Sequence, residues 1–150
     1  VDPAFLELGI PVLGICYGSQ EIAWRINPSN VDRGIAREYG EALVSIFKVN
    51  SHADRLFAGL GETMNCFMSH FDKLVRLPED FVIVAKTDNS EFAGIAHKTK
   101  SIFGAFPSVN DIASSVSADH LLFRQQVYNS ILSLNTYVYG TFLPSAPSYY

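Results

Sequence analysis

Seven residues near the start of the chain carry its clearest chemistry: Gly14-Ile15-Cys16-Tyr17-Gly18-Ser19-Gln20. They follow the compact apolar run Ile10-Pro11-Val12-Leu13-Gly14-Ile15. After them, from Gly18 to Ile26, the apolar residues Ile22, Ala23 and Ile26 recur at helical spacing. A nucleophile on a strand-to-helix turn needs small neighbours, because the backbone bends hard and must leave room for substrate. This is the mechanics of the Gly-x-Ser-x-Gly elbow, here with sulfur in place of oxygen. The amide end of a helix starting at Gly18 would also favour the thiolate form of Cys16. The same residues equally fit a buried core cysteine between packing glycines, and spacing alone does not choose between the two.

The remaining titratable residues offer less. His70 lies in Met68-Ser69-His70-Phe71-Asp72-Lys73, His52 at a helix start, His97 in a turn-like Ala96-His97-Lys98 and His120 in the later part of the chain. Four scattered histidines and two distant cysteines have no zinc-site spacing, so no metal is expected. Asp72-Lys73 reads as a surface pair of little energetic weight. Arg37-Glu38 reads as a solvated hairpin. Trp24 and Cys66 read as packing residues.

Elements that position these residues can be placed along the chain. Asp2 caps a short helix that Pro3 starts and Gly9 stops. A buried strand over 10–15 hands over at Cys16 to the helix ending before Pro28. Residues 34–49 favour β structure, and Ser51-His52-Ala53-Asp54 opens a short helix with Leu56, Phe57 and Leu60 on its apolar side. Short strands are expected around 65–69, 73–76, 81–87, 92–97 and 102–106, with turns at Pro78 and at Thr87-Asp88-Asn89-Ser90. From Ala113 onward only Asp119 and Arg124 are charged, whereas five of the seven tyrosines lie there. Val116 to Leu134 can form a helix, and Pro144-Ser145-Ala146-Pro147-Ser148 a loose tail. The pattern is that of an α/β domain with a mixed sheet over 1–112, followed by a divergent helix and tail over 113–150.

Composition bounds the function classes. The chain has 150 residues, a net charge of −4, 48% hydrophobic and 13% aromatic residues. That is enough for one domain with a sizeable core, and it excludes a disordered chain. An acidic balance gives no general attraction for nucleic-acid phosphate. No apolar run approaches the roughly 20 residues that cross a bilayer. Val1–Pro11 carries two acids and no base, unlike a secretory leader, and two cysteines are too few for a disulfide framework. A cytoplasmic, reducing setting is expected, with neither nucleic acid nor membrane as partner. No glycine-rich phosphate loop is present, and a start at Val1 reads as a fragment.

The elbow sequence resembles the nucleophile motif of the class I (triad) glutamine amidotransferases. Arg37-Glu38-Tyr39-Gly40, Met68-Ser69-His70-Phe71-Asp72-Lys73 and Leu77-Pro78-Glu79-Asp80-Phe81 follow in the order seen in the amidotransferase domains of GMP synthases. The resemblance is dense from Pro3 to Gly104. It implies a flavodoxin-like layer, here lacking the family's first strands and the Gly-Gly loop that helps stabilise the oxyanion. It implies that Cys16 attacks the side-chain amide of L-glutamine, that Tyr17 lies at the oxyanion position, and that Gln20, Ser69, His70 and Phe71 hold the substrate. The glutaminase half would need no cofactor. ATP and Mg would belong to a separate GMP synthetase domain or subunit that converts XMP to GMP. The family's histidine base and glutamate orienter fall where this chain has Phe106 and Ser108, after Ser101-Ile102-Phe103-Gly104-Ala105. Impaired turnover is therefore expected, with a non-catalytic amidotransferase-like binding module as the alternative.

Overall fold

The computed structural model describes residues 2–49, 54, 57, 60–105 and 137–140, without the side chains of 34–38, 67, 69, 71 and 137–140. The Asp2 carboxylate accepts from the Ala4 amide at 2.9 Å and caps a 3₁₀ turn over Pro3–Glu7, and Gly9 follows at φ +70°. Ten residues, Tyr17–Ile26, form the helix α1, one residue longer at its start than the sequence pattern suggests. Its far end is fixed by Asn30, whose side-chain amide donates to the Ala23 carbonyl at 3.1 Å and whose carbonyl accepts from the Val75 amide at 2.9 Å.

The strands are β1 (Val12–Ile15), β2 (Val31–Ile46), β3 (Thr63–Leu74), β4 (Phe81–Lys86), β5 (Gly94–His97), β6 (Ile102–Ala105) and β7 (Tyr137–Gly140). Among the described residues they form one sheet in the order β3-β2-β4-β5-β6-β1-β7. β1 runs parallel to β6 and β7, and the other pairings are antiparallel. The sheet is therefore mixed, as the sequence pattern leads one to expect.

Two differences from the sequence reading have physical causes. The separate short strands expected around 65–69 and 73–76 are one continuous strand of 12 residues. β3 pairs along nearly its whole length with the 16-residue β2, with an irregularity between Arg33 and Glu38, so cross-strand bonding carries it through the charged Asp72-Lys73 step. The second is β7, which no periodicity in the tyrosine-rich tail announces. The helix over Val116–Leu134 and the proline-rich tail fall outside the described residues. So does most of the expected helix after Ser51, although Phe57 from that stretch is 1% exposed.

Side chains alternate across β1 and build two cores. Leu13 and Ile15 pack with Val44, Met64, Cys66, Met68 and Phe103 on one face. Val12 joins Ile22, Ala23, Ile95 and Ile102 under α1 on the other. All four residues of β1 are buried, as a doubly covered strand requires.

Candidate active site

Cys16 sits between the last residue of β1 and the first of α1, at φ 53° and ψ −111°. Such a conformation costs a β-substituted residue about 1–3 kcal/mol and persists only where the surroundings enforce it. The enforcement is visible. The Cys16 amide donates to the Ala105 carbonyl at 2.8 Å, and the Cys16 carbonyl accepts from Ser19 at 3.0 Å and Gln20 at 3.4 Å. A Cβ on Gly14 would meet the Gly18 carbonyl carbon at 2.5 Å and the Ile22 Cδ1 at 2.7 Å, and one on Gly104 would overlap the Ser19 Oγ. Glycine at both positions lets the first turn of α1 rest on the sheet. Cys16 is partly exposed, while Cys66 is 1% exposed in the core, and neither is in a disulfide.

Tyr17 is the first residue of α1 and 57% exposed. The first amides of a helix lack an intrahelical acceptor, so the Tyr17 N–H is chemically suited to an oxyanion beside Cys16. Gln20 is nearly buried, and its Nε2 donates to the Asp72 carbonyl at 2.7 Å, tying α1 to β3. This bond uses one hydrogen of the side-chain amide. A cavity of about 430 Å³ opens beside it, lined by Tyr17, Gln20, Glu21, Trp24, Arg25, Val31 and Asp72. Its size suits a small ligand.

The sequence pattern reads Trp24 as packing, but the side chain is 45% exposed on this cavity. The Arg25 guanidinium lies 5.3 Å from its ring and is held by Glu21 Oε1 at 2.7 Å. Tyr17, Gln20, Glu21 and Trp24 are three, four and seven residues apart, so the helical period could have shown that they share a face.

The other expected site residues divide. His70 is buried on β3, opposite Glu38 in the register. Ser69 and Phe71 flank it on the same strand, their side chains outside the described residues. Phe106, Ser108, His52 and His120 also lie outside them. Ala105, the last residue of β6, accepts from the Cys16 amide at the elbow. His97 ends β5 paired with Phe81, at the end of the strands opposite the Cys16 turn. Its Nδ1 accepts from the Thr99 and Lys100 amides, both at 3.1 Å, and its ring meets Phe81 edge-on. Partial burial first, and then the Lys100 charge, hold its pKa below the ordinary histidine value. Placed there, it cannot serve Cys16.

A strained cysteine on a strand-to-helix turn, with glycines cleared around it and helix amides beside it, defines a nucleophile-elbow protein of the α/β class. The family model of the class-I glutamine amidotransferases matches residues 1–105, and the chain belongs to that family. Its curated relatives include GMP synthases (glutamine-hydrolysing) of Gibberella zeae, 61% identical over 104 residues, and of Saccharomyces cerevisiae, 47% identical over 104 residues. Each match covers 69% of this chain and 19% of the relative, so the chain spans about a fifth of their length. A solved GMP synthase component from Thermoplasma acidophilum superposes with a TM-score of 0.65 at 25% identity, over 85% of this chain and 63% of its own. A glutamine amidotransferase of Thermotoga maritima gives a TM-score of 0.60 at 23% identity, over 86% and 51%. The fold is thus the flavodoxin-like layer of class I amidotransferases, and the chain closely matches the glutamine-hydrolysing domain of GMP synthases.

Proposed function

We propose that this chain presents Cys16 as the nucleophile toward the side-chain amide of L-glutamine, in the manner of the GMP synthases it resembles. The thiolate adds to the amide carbon and the oxyanion faces the Tyr17 amide. Collapse breaks the C–N bond and releases ammonia, leaving a γ-glutamyl thioester that water hydrolyses to glutamate. Gln20 and the Ser69-His70-Phe71 segment hold the amino-acid end of the substrate. The supporting observation is the enforced elbow at Cys16, with the Gln20-lined cavity one helical turn away.

Each cycle needs a group that takes the thiol proton and returns one to the departing nitrogen. Phenylalanine at 106 can do neither, and serine at 108 cannot orient a base, so turnover of the unmodified chain is proposed to be orders of magnitude below that of a complete triad. The ammonia would serve a GMP synthetase domain or subunit, which would bring ATP and Mg; the glutaminase half uses no cofactor. A cytoplasmic setting fits this role, and among the described residues no helix is long and apolar enough to cross a membrane.

The test is ammonia release from L-glutamine by the chain, by Cys16→Ser, and by Phe106→His with Ser108→Glu. The expected result is little or no release by the parent and a rise in the double variant that Cys16→Ser abolishes. Release that is indifferent to Cys16→Ser would overturn the assignment.

A further inference from the structure

β1 carries the nucleophile turn and is buried along its whole length, so every backbone group on it must find a partner within the protein. On one side the partners come from β6 and the residue before it. The Val12 amide donates to the Ser101 carbonyl and the Cys16 amide to the Ala105 carbonyl, both at 2.8 Å. Along a strand, alternate residues turn their N–H and C=O groups to opposite neighbours. Leu13 and Ile15 therefore turn theirs away from β6. On that side lies β7, parallel and in register, with Leu13 opposite Val138 and Ile15 opposite Gly140. β7 comes from the stretch beyond residue 105, outside the family match.

We propose that residues 137–140 are a built-in edge strand: they occupy the outer side of β1, complete its hydrogen bonding next to the Cys16 turn, and keep this edge from adding a strand of a second copy. An open edge on a buried, apolar strand is a template for pairing between chains. Here the tail of the same chain fills it. The sheet order places β7 outermost, so its own outer side has no strand neighbour among the described residues, and the ladder side alone carries the pairing.

Amide hydrogen exchange on the intact chain tests it. Leu13 and Ile15 should exchange as slowly as Val12 and Cys16, because both sides of β1 are bonded. Proline at neighbouring positions supplies the second arm. Of Val138→Pro and Tyr139→Pro, one removes an amide facing β1 and the other an amide facing outward, where proline is tolerated on an edge. One variant should speed exchange at Leu13 and Ile15 at least a hundredfold and self-associate at high concentration in sedimentation. The other should stay within a few-fold of the parent and remain as the parent is. Rapid exchange at Leu13 and Ile15 in the parent, or no change in either proline variant, would overturn the proposal.

Discussion

Gly14 and Gly18 touch across the elbow: a Cβ on Gly14 would stand 2.5 Å from the carbonyl carbon and oxygen of Gly18. Strand and helix are thus in backbone contact on either side of Cys16, which fixes where the thiol points. Gly14→Ala must push α1 off the sheet, because the Gly18 backbone is not a flexible side chain that can swing aside. The expected cost is about 1–3 kcal/mol in urea denaturation, together with slower modification of Cys16 by a glutamine-mimicking electrophile. A neutral stability change would mean that strand and helix are not in contact there.

Gln20 makes a structural bond and is proposed to help hold glutamine, and the two can be read out separately in one variant. Gln20→Ala removes the 2.7 Å bond to the Asp72 carbonyl and should lower stability by about 0.5–1.5 kcal/mol. It should also weaken calorimetric binding of L-glutamine, since the same side chain lines the cavity. Unchanged affinity alongside the stability loss would reduce Gln20 to a tie between α1 and β3.

His97 predicts an acid limb in stability. Its Nδ1 must stay unprotonated to accept from the Thr99 and Lys100 amides, and its folded pKa lies below the ordinary value. The unfolded chain therefore binds more protons at mildly acid pH. The His97 contribution is present above the unfolded pKa and lost as pH falls through the folded one. Thermal denaturation from about pH 7.5 to about pH 5 should show a decline that is shallower in His97→Gln. An identical decline in both proteins would assign it to other groups.

The fold is legible where local pattern and tertiary demand agree. The apolar run into Cys16, the helical stripe after it and the Asp2-Pro3 start each appear within a residue or two of their expected places, because each rests on contacts close in sequence. β3 reads as two pieces in the sequence because its continuity comes from β2, a long-range partner that no window reveals. β7 leaves no trace for the same reason: its partner in the sheet is β1, more than a hundred residues earlier. At the candidate site, the strand-to-helix turn at Cys16 is legible from motif and spacing, whereas Gln20 enters through the family resemblance. The exposure of Trp24 on the cavity is not legible, since an aromatic on a helix reads as core until the surface opposite it is known.

Cys16 is proposed as the nucleophile toward a glutamine side chain. Mass-spectrometric mapping of the chain after brief treatment with a glutamine-mimicking electrophile tests it most directly, because alkylation needs the nucleophile and the pocket but no catalytic base. Modification is expected at Cys16 well ahead of Cys66, slowed by added L-glutamine. Equal modification of the two cysteines, or labelling of Cys16 that L-glutamine does not slow, would contradict it.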